Sequence, residues 1–166
     1  MQNPTLINSD LIAALREKFA LDWNGVHGAP HWARVRINGL SLAPLTNART
    51  DVIELFSFFH DSCRENDYED PDHGHRAADF ASSLRNRVFN IDDSGFKLLL
   101  KACETHSAGK LQEDPTVQTC WDADRLDLWR VGITPDPKRL ATTAARNPTI
   151  YEAARQRSQN LTLSKD

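Results

Sequence analysis

Residues 51–66, DVIELFSFFHDSCREN, set the strongest constraint on what this chain can fold into. At about 100° per helical residue, Val52, Ile53, Leu55, Phe56, Phe58 and Phe59 surround nearly the whole helix. A helix apolar on almost every side has to be central, with other elements packed around it. His60 and Asp61 follow that run directly, an imidazole beside a carboxylate. At the end of a buried helix the two need a partner, because an unpaired buried charge is expensive. A bound cation would be that partner.

The rest of the chain supplies the helices. Ser9 and Asp10 can cap LIAALREKFAL, whose Leu11, Ile12, Leu15 and Phe19 follow the helical period. The turn DWNGVHGAP ends it. Pro30 fits a first helical position, so PHWARVRINGLSLAPL reads as a second helix, weakened by Gly39 and ended or kinked by Pro44. Asp51 caps the central helix, and NDYEDPDHG is an acidic loop. HRAADFASSLRNRVF and GFKLLLKACETH, the latter opened by Asp92-Asp93, read as the fourth and fifth helices. After the loop SAGKLQEDP, a sixth runs through TVQTCWDADRLDLWRVG, and a short one covers 138–146. The last twenty residues are polar and are expected to be partly mobile. The expectation is an all-α, single-domain bundle of about six or seven helices, with the domain over 1–145 and a polar tail over 146–166.

Composition narrows the function classes. With 20 Lys+Arg against 23 Asp+Glu, the net charge of −3 offers no polybasic surface, so nucleic acid is not an expected partner. Cys63, Cys103 and Cys120 lack CxxC spacing and fit reduced thiols, pointing to a cytoplasmic protein. No apolar run approaches the ~20 residues of a membrane span, and MQNPTLINSD has no signal-peptide core.

The chemistry concentrates in histidines and aspartates. All six histidines lie between His27 and His106. On the sixth helix Asp124 falls near the middle of the stripe formed by Val117, Cys120, Trp121, Leu128 and Val131. Asp122 points to the other side and Asp127 to the polar flank. Asp124 is thus the acid aimed inward, as a ligand or as half of a buried salt bridge. His31, His60, Asp61 and Asp124 together make a plausible octahedral set for Mn, Fe, Co, Ni, Zn or Mg. His73 and His106 could add a second ion or touch a substrate phosphate. Buried histidines that merely hydrogen-bond within a core are the plainer alternative. HExxH, Walker A, GxGxxG and GxSxG motifs are absent.

The order His31, His60-Asp61, Asp124 resembles the HD-domain superfamily of metal-dependent phosphohydrolases. HWARV is similar to its first histidine helix, LFSFFHDS to its apolar run and HD pair, and ADRLD to its closing aspartate motif. HGHRAA and ETHSAG resemble further histidine segments, so the likeness spans roughly residues 27 to 133. It implies His31, His60, Asp61 and Asp124 as ligands of one ion, His73 and His106 as candidates for a second, and Asp61 as a bridge. It also implies a catalytic role for Asp61, His60, Arg64 and His73. Arg34, Arg64 and Arg76 lie near the motifs and are expected to contact substrate phosphate, although arginines are more often surface ion-pair residues. Arg64 stands where HD-type 5′-nucleotidases have a glutamate, and the GYP signature of cyclic-di-GMP phosphodiesterases is missing. The implied substrate is a small phosphate ester, a nucleotide or cyclic nucleotide first. The loop from Arg64 to Gly74 could cover the site. Trp32 and Trp121 are core residues or platforms for a nucleobase. A non-catalytic scaffold that binds metal or nucleotide, and a di-iron oxygenase, are the alternatives. A homodimer is in keeping with the family.

Overall fold

The computed structural model describes residues 6–160. Among them the chain is helical throughout, with one isolated bridge between Arg85 and Phe89. The α-helices are α1 (Ser9–Lys18), α2 (Ala29–Thr46), α3 (Thr50–Phe59), α4 (His73–Leu84), α5 (Asp93–Thr105), α6 (Pro115–Arg125) and α7 (Pro148–Asn160). Two short 3-10 helices, Leu128–Val131 and Pro137–Arg139, lie between α6 and α7.

The apolar helix is the centre, as its residues require. Val52, Ile53, Leu55, Phe56 and Phe59 are all wholly buried. α2, α5 and α6 pack around α3, and α4 lies against α5. Gly39 lets α2 approach closely: a Cβ there would stand 2.5 Å from Ile53 Cγ2 and 3.4 Å from the Ala123 side chain. The glycine that weakens α2 by propensity is thus the contact that lets it sit against α3. α2 also continues through Pro44 to Thr46, closing on Asn47 in the left-handed conformation. A proline three residues from the end removes little of the hydrogen-bond ladder. At α1 the cap is Asn8, whose side chain accepts from Leu11 N at 3.0 Å, one residue before the expected Ser9.

Three expectations fail at the C-terminal end. The sixth helix does not run to Gly132. It ends at Arg125, and the chain then tightens into the 3-10 turn Leu128–Val131. Residues 148–160, placed in a mobile tail, form α7, which packs on α2 and on that turn. The reason is a narrow apolar stripe. Ala154, Ile150 and Tyr151 close over Leu42, Leu126 and Leu140 in a second small core, and the rest of α7 is polar. Polar anchors add to it. Arg157 donates to Asn38 Oδ1 at 2.9 Å, and Ser158 Oγ donates to Asp127. A domain boundary at 145 therefore falls inside a packed unit. The helix expected over 138–146 is reduced to Pro137–Arg139, because Asp122 holds the following strand of chain in place.

Candidate metal centre

Four imidazoles converge behind a cavity of about 820 Å³. His31, in the first turn of α2, is wholly buried, as is His60 at the end of α3. His73 opens α4 and His106 closes α5, both buried. Gly74 makes that second approach possible, since a Cβ on it would overlap the Cys103 carbonyl oxygen.

Every one of the four rings has its Nδ1 facing an acceptor. His31 Nδ1 donates to Asp127 Oδ2 at 2.7 Å. His60 Nδ1 faces the carbonyls of Phe56 and Ser57, each at 3.1 Å. His106 Nδ1 donates to the Cys103 carbonyl at 2.7 Å, and His73 Nδ1 to the Asp70 carbonyl. Carbonyls and carboxylates only accept, so each Nδ1 bears its ring's hydrogen and each neutral ring presents a bare Nε2. Those bare nitrogens face one another. His31 and His60 are 3.1 Å apart at Nε2, and His73 and His106 are 2.8 Å apart.

Asp61 lies between the pairs. Its Oδ2 is 3.5 Å from His31 Nε2 and 3.6 Å from His60 Nε2. Its Oδ1 is 3.2 Å from His73 Nε2 and 3.6 Å from His106 Nε2. Asp124 Oδ1 completes the first group at 3.3 and 3.6 Å from His31 and His60. Two clusters that could hold a metal ion result: His31, His60 and Asp124, and Asp61, His73 and His106. Ligands about 2.1 Å from a shared ion stand roughly 3.0 to 3.5 Å apart in octahedral or tetrahedral sites. The separations here are of that size. Lone pairs and carboxylates gathered so closely, and so deeply buried, call for positive charge.

Protons supply it in part. Burial and the Arg130 charge push the His31 pKa down, but hydrogen bonds to Asp124, Asp127 and Asp61 outweigh them and raise it to about 9. Burial would raise the Asp61 pKa, yet when the facing Nε2 atoms carry protons the His60 charge and hydrogen bonds from His106, His31 and His73 hold it well below the carboxylate range. Asp124 behaves alike: burial opposes ionisation, and hydrogen bonds from the protonated forms of His31 and His60 prevail.

The three acids of WDADRLD differ from the helical-wheel expectation. Asp124 is the least buried, with 18% of its side chain exposed at the cavity wall. Asp122, expected to point away, is wholly buried and accepts from Ala141 N, Thr142 N and Thr142 Oγ1 at 2.7–2.8 Å. The side opposite the apolar stripe is covered by residues 140–142 instead of water. Asp127 is equally hidden, because the chain tightens after Arg125 and turns it inward. It takes hydrogen bonds from His31, Arg34 and Ser158.

The arginines divide. Arg64 lines the cavity and donates to Asp61 Oδ1 at 3.3 Å. Arg34, expected to meet phosphate, is instead buried against Asp127, 2.8 Å away, and does not line the cavity. Arg76 does not line it either; it clamps Asp70 and donates to the Cys63 carbonyl. That clamp, with Glu65 N donating to Asp70 Oδ2, fixes the 64–74 loop beside the site. Trp32 and Trp121 are wholly buried in the core and offer no stacking face. The cavity does contain residues the sequence reading left out, namely His27, Arg125, Arg130 and Arg139. His27 Nδ1 meets Asp67 Oδ1 at 2.8 Å, and burial lowers its pKa. Its place four residues before His31, in the turn that leads into α2, is the available signal.

No protein family, curated protein or solved structure matches the chain.

Proposed function

We propose that the protein is a metal-dependent phosphohydrolase that holds two divalent ions bridged by Asp61. The observation that carries this reading is the convergence of four bare Nε2 atoms on the two oxygens of one buried carboxylate. In this reading His31, His60 and Asp124 would hold one ion and Asp61, His73 and His106 the other, with the second Asp61 oxygen near enough to the first group to serve it as well. Divalent ions supply an activated water and neutralise charge that develops on phosphoryl oxygens. Water adds to phosphorus, the ester P–O bond breaks, and the alcohol leaves with the proton that water gives up.

The chain's own residues do the rest. The Nδ1 hydrogen bonds fix each imidazole's tautomer and aim its Nε2 inward. Asp127 does this for His31 with a carboxylate, which also makes the ring a stronger donor. Arg64 sits on the Asp61 edge of the cavity, where a guanidinium can meet phosphate oxygens. Arg125, Arg130 and Arg139 line the same cavity. Those guanidinium groups suit an anionic, phosphorylated substrate.

Phosphate release from a panel of phosphate esters tests the reading, using chelator-treated protein before and after adding Mn²⁺ or Co²⁺. Metal-dependent release that disappears in Asp61→Ala supports it. Bound metal with no release from any ester moves the scaffold reading ahead.

A further inference from the structure

The cavity has two chemically different ends. Asp61, Asp124, His73 and His106 form the floor, and Leu111, Leu128, Val131, Ile133 and Leu140 line the wall that leads to it. Among the described residues, large apolar side chains left exposed are few, and three of them, Leu111, Val131 and Ile133, belong to that wall. Ile133 is 53% exposed and Val131 40%. Apolar side chains held open in a concave site beside buried charges are the usual sign of a ligand's apolar portion.

The wall also lacks the large aromatic and amide side chains that commonly read a base. No Phe, Tyr or Trp and no Asn or Gln lines the cavity among the described residues. A nucleobase would find no Phe, Tyr or Trp platform and no side-chain amide to match its edges. Asp136, an acid near this wall, turns its carboxylate onto Lys138 N at 2.9 Å and caps its own turn. At the rim, Arg139 is exposed and makes no ion pair among the described residues, so its charge is open to an anion.

The geometry points to an aliphatic subsite: the substrate is a dissolved phosphate ester whose alcohol portion is a saturated or branched hydrocarbon chain, not a nucleoside. This rests on the phosphohydrolase reading for the position of the phosphate, at the floor, with the chain lying along Leu128, Val131 and Ile133. The cavity closes on the floor and is not a flat apolar surface, which suits a single dissolved molecule.

The test is binding of straight-chain alkyl phosphates, from ethyl to octyl, to Mn²⁺-loaded protein by calorimetry, beside adenosine monophosphate. Affinity should rise up to about fourfold per added methylene while the chain follows the wall. Val131→Ser and Ile133→Ser should each flatten that rise while the protein keeps its metal. Hydrolysis of the same esters is followed in parallel. Chain-length-dependent binding without turnover would sink the hydrolase reading and leave the subsite standing. Turnover of short esters with an affinity flat in chain length would overturn the subsite alone. Adenosine monophosphate binding more tightly than octyl phosphate would overturn it too, as would capture by phosphatidic-acid vesicles without binding of soluble esters.

Discussion

His73 Nε2 and His106 Nε2 face each other across 2.8 Å while their rings give their Nδ1 hydrogens to main-chain carbonyls of the loop before α4 and of α5 respectively. Such a contact is repulsive between neutral rings and becomes favourable once a cation lies beside both. The helix ends are driven into this contact by Gly74, which lets α4 rest on the Cys103 carbonyl. Gly74→Ala has to push α4 away from α5. It should destabilise the fold by about 1–3 kcal/mol, in line with overpacking elsewhere, and eject the ion at His73 and His106. The ion at His31 and His60 should remain. Denaturant unfolding and metal stoichiometry on the same sample check both halves.

Asp127 works on His31 and on the fold together. It is almost fully buried and takes hydrogen bonds from His31, Arg34 and Ser158. Asp127→Asn should weaken the first ion about 10- to 100-fold, because an amide orients and activates the imidazole less well than a carboxylate. Asp127→Ala leaves Arg34 buried without its partner and should cost about 3–5 kcal/mol of stability. Metal titration reads the first, and urea unfolding of chelator-treated protein reads the second. Equal metal affinity in Asp127→Asn and the parent would remove Asp127 from the site.

α7 supports the site from outside. Ser158→Ala removes one of the three donors to Asp127 and should cost about 1 kcal/mol. Deleting residues 147–166 also uncovers Leu42, Leu126 and Leu140, so the loss should be several times larger. Thermal unfolding of both variants measures the difference. A deletion no more harmful than the point change would mean that α7 contributes little packing.

His31 predicts a pH dependence for the ion-free protein. Its pKa is raised from the ordinary 6.5 to about 9, against burial and the Arg130 charge, by its hydrogen bonds to Asp124, Asp127 and Asp61. A raised pKa gives stability that is complete below 6.5 and lost as pH climbs through 9. The urea midpoint of chelator-treated protein should therefore fall across that window. An ion takes the place of the same proton, so apparent metal affinity should rise with pH there, by up to about tenfold per unit. Titrations at pH 6.5 and 8 check this, and an affinity independent of pH contradicts it.

Much of the candidate site is legible in the sequence because its candidate ligands stand near helix ends beside apolar runs. The run before His60 forces α3 to the centre, so whatever follows it must be buried, and imidazole beside carboxylate then narrows the chemistry. The ligand pairing of His73 with His106 is less legible, since it depends on two helix ends meeting at Gly74. What periodicity misreads is the region after Arg125. A helical wheel assumes an unbroken 100° step and a solvent side, and here the step changes at Leu126 while residues 140–142 cover Asp122. Arg34 and Arg76 were near the motifs in sequence, yet each had an acid closer at hand than any ligand. α7 escapes a reading by composition because its buried stripe is only a few residues wide.

The most direct test of a carboxylate-bridged pair of ions is a count. Chelator-treated protein and its His60→Ala, His106→Ala and Asp61→Ala variants would be dialysed against Mn²⁺ or Co²⁺ and analysed for metal per chain. The account predicts two ions in the parent, one in each histidine variant and none retained in Asp61→Ala, all four remaining helical by circular dichroism. A parent that holds no ion, or an Asp61→Ala variant that keeps both, would contradict it.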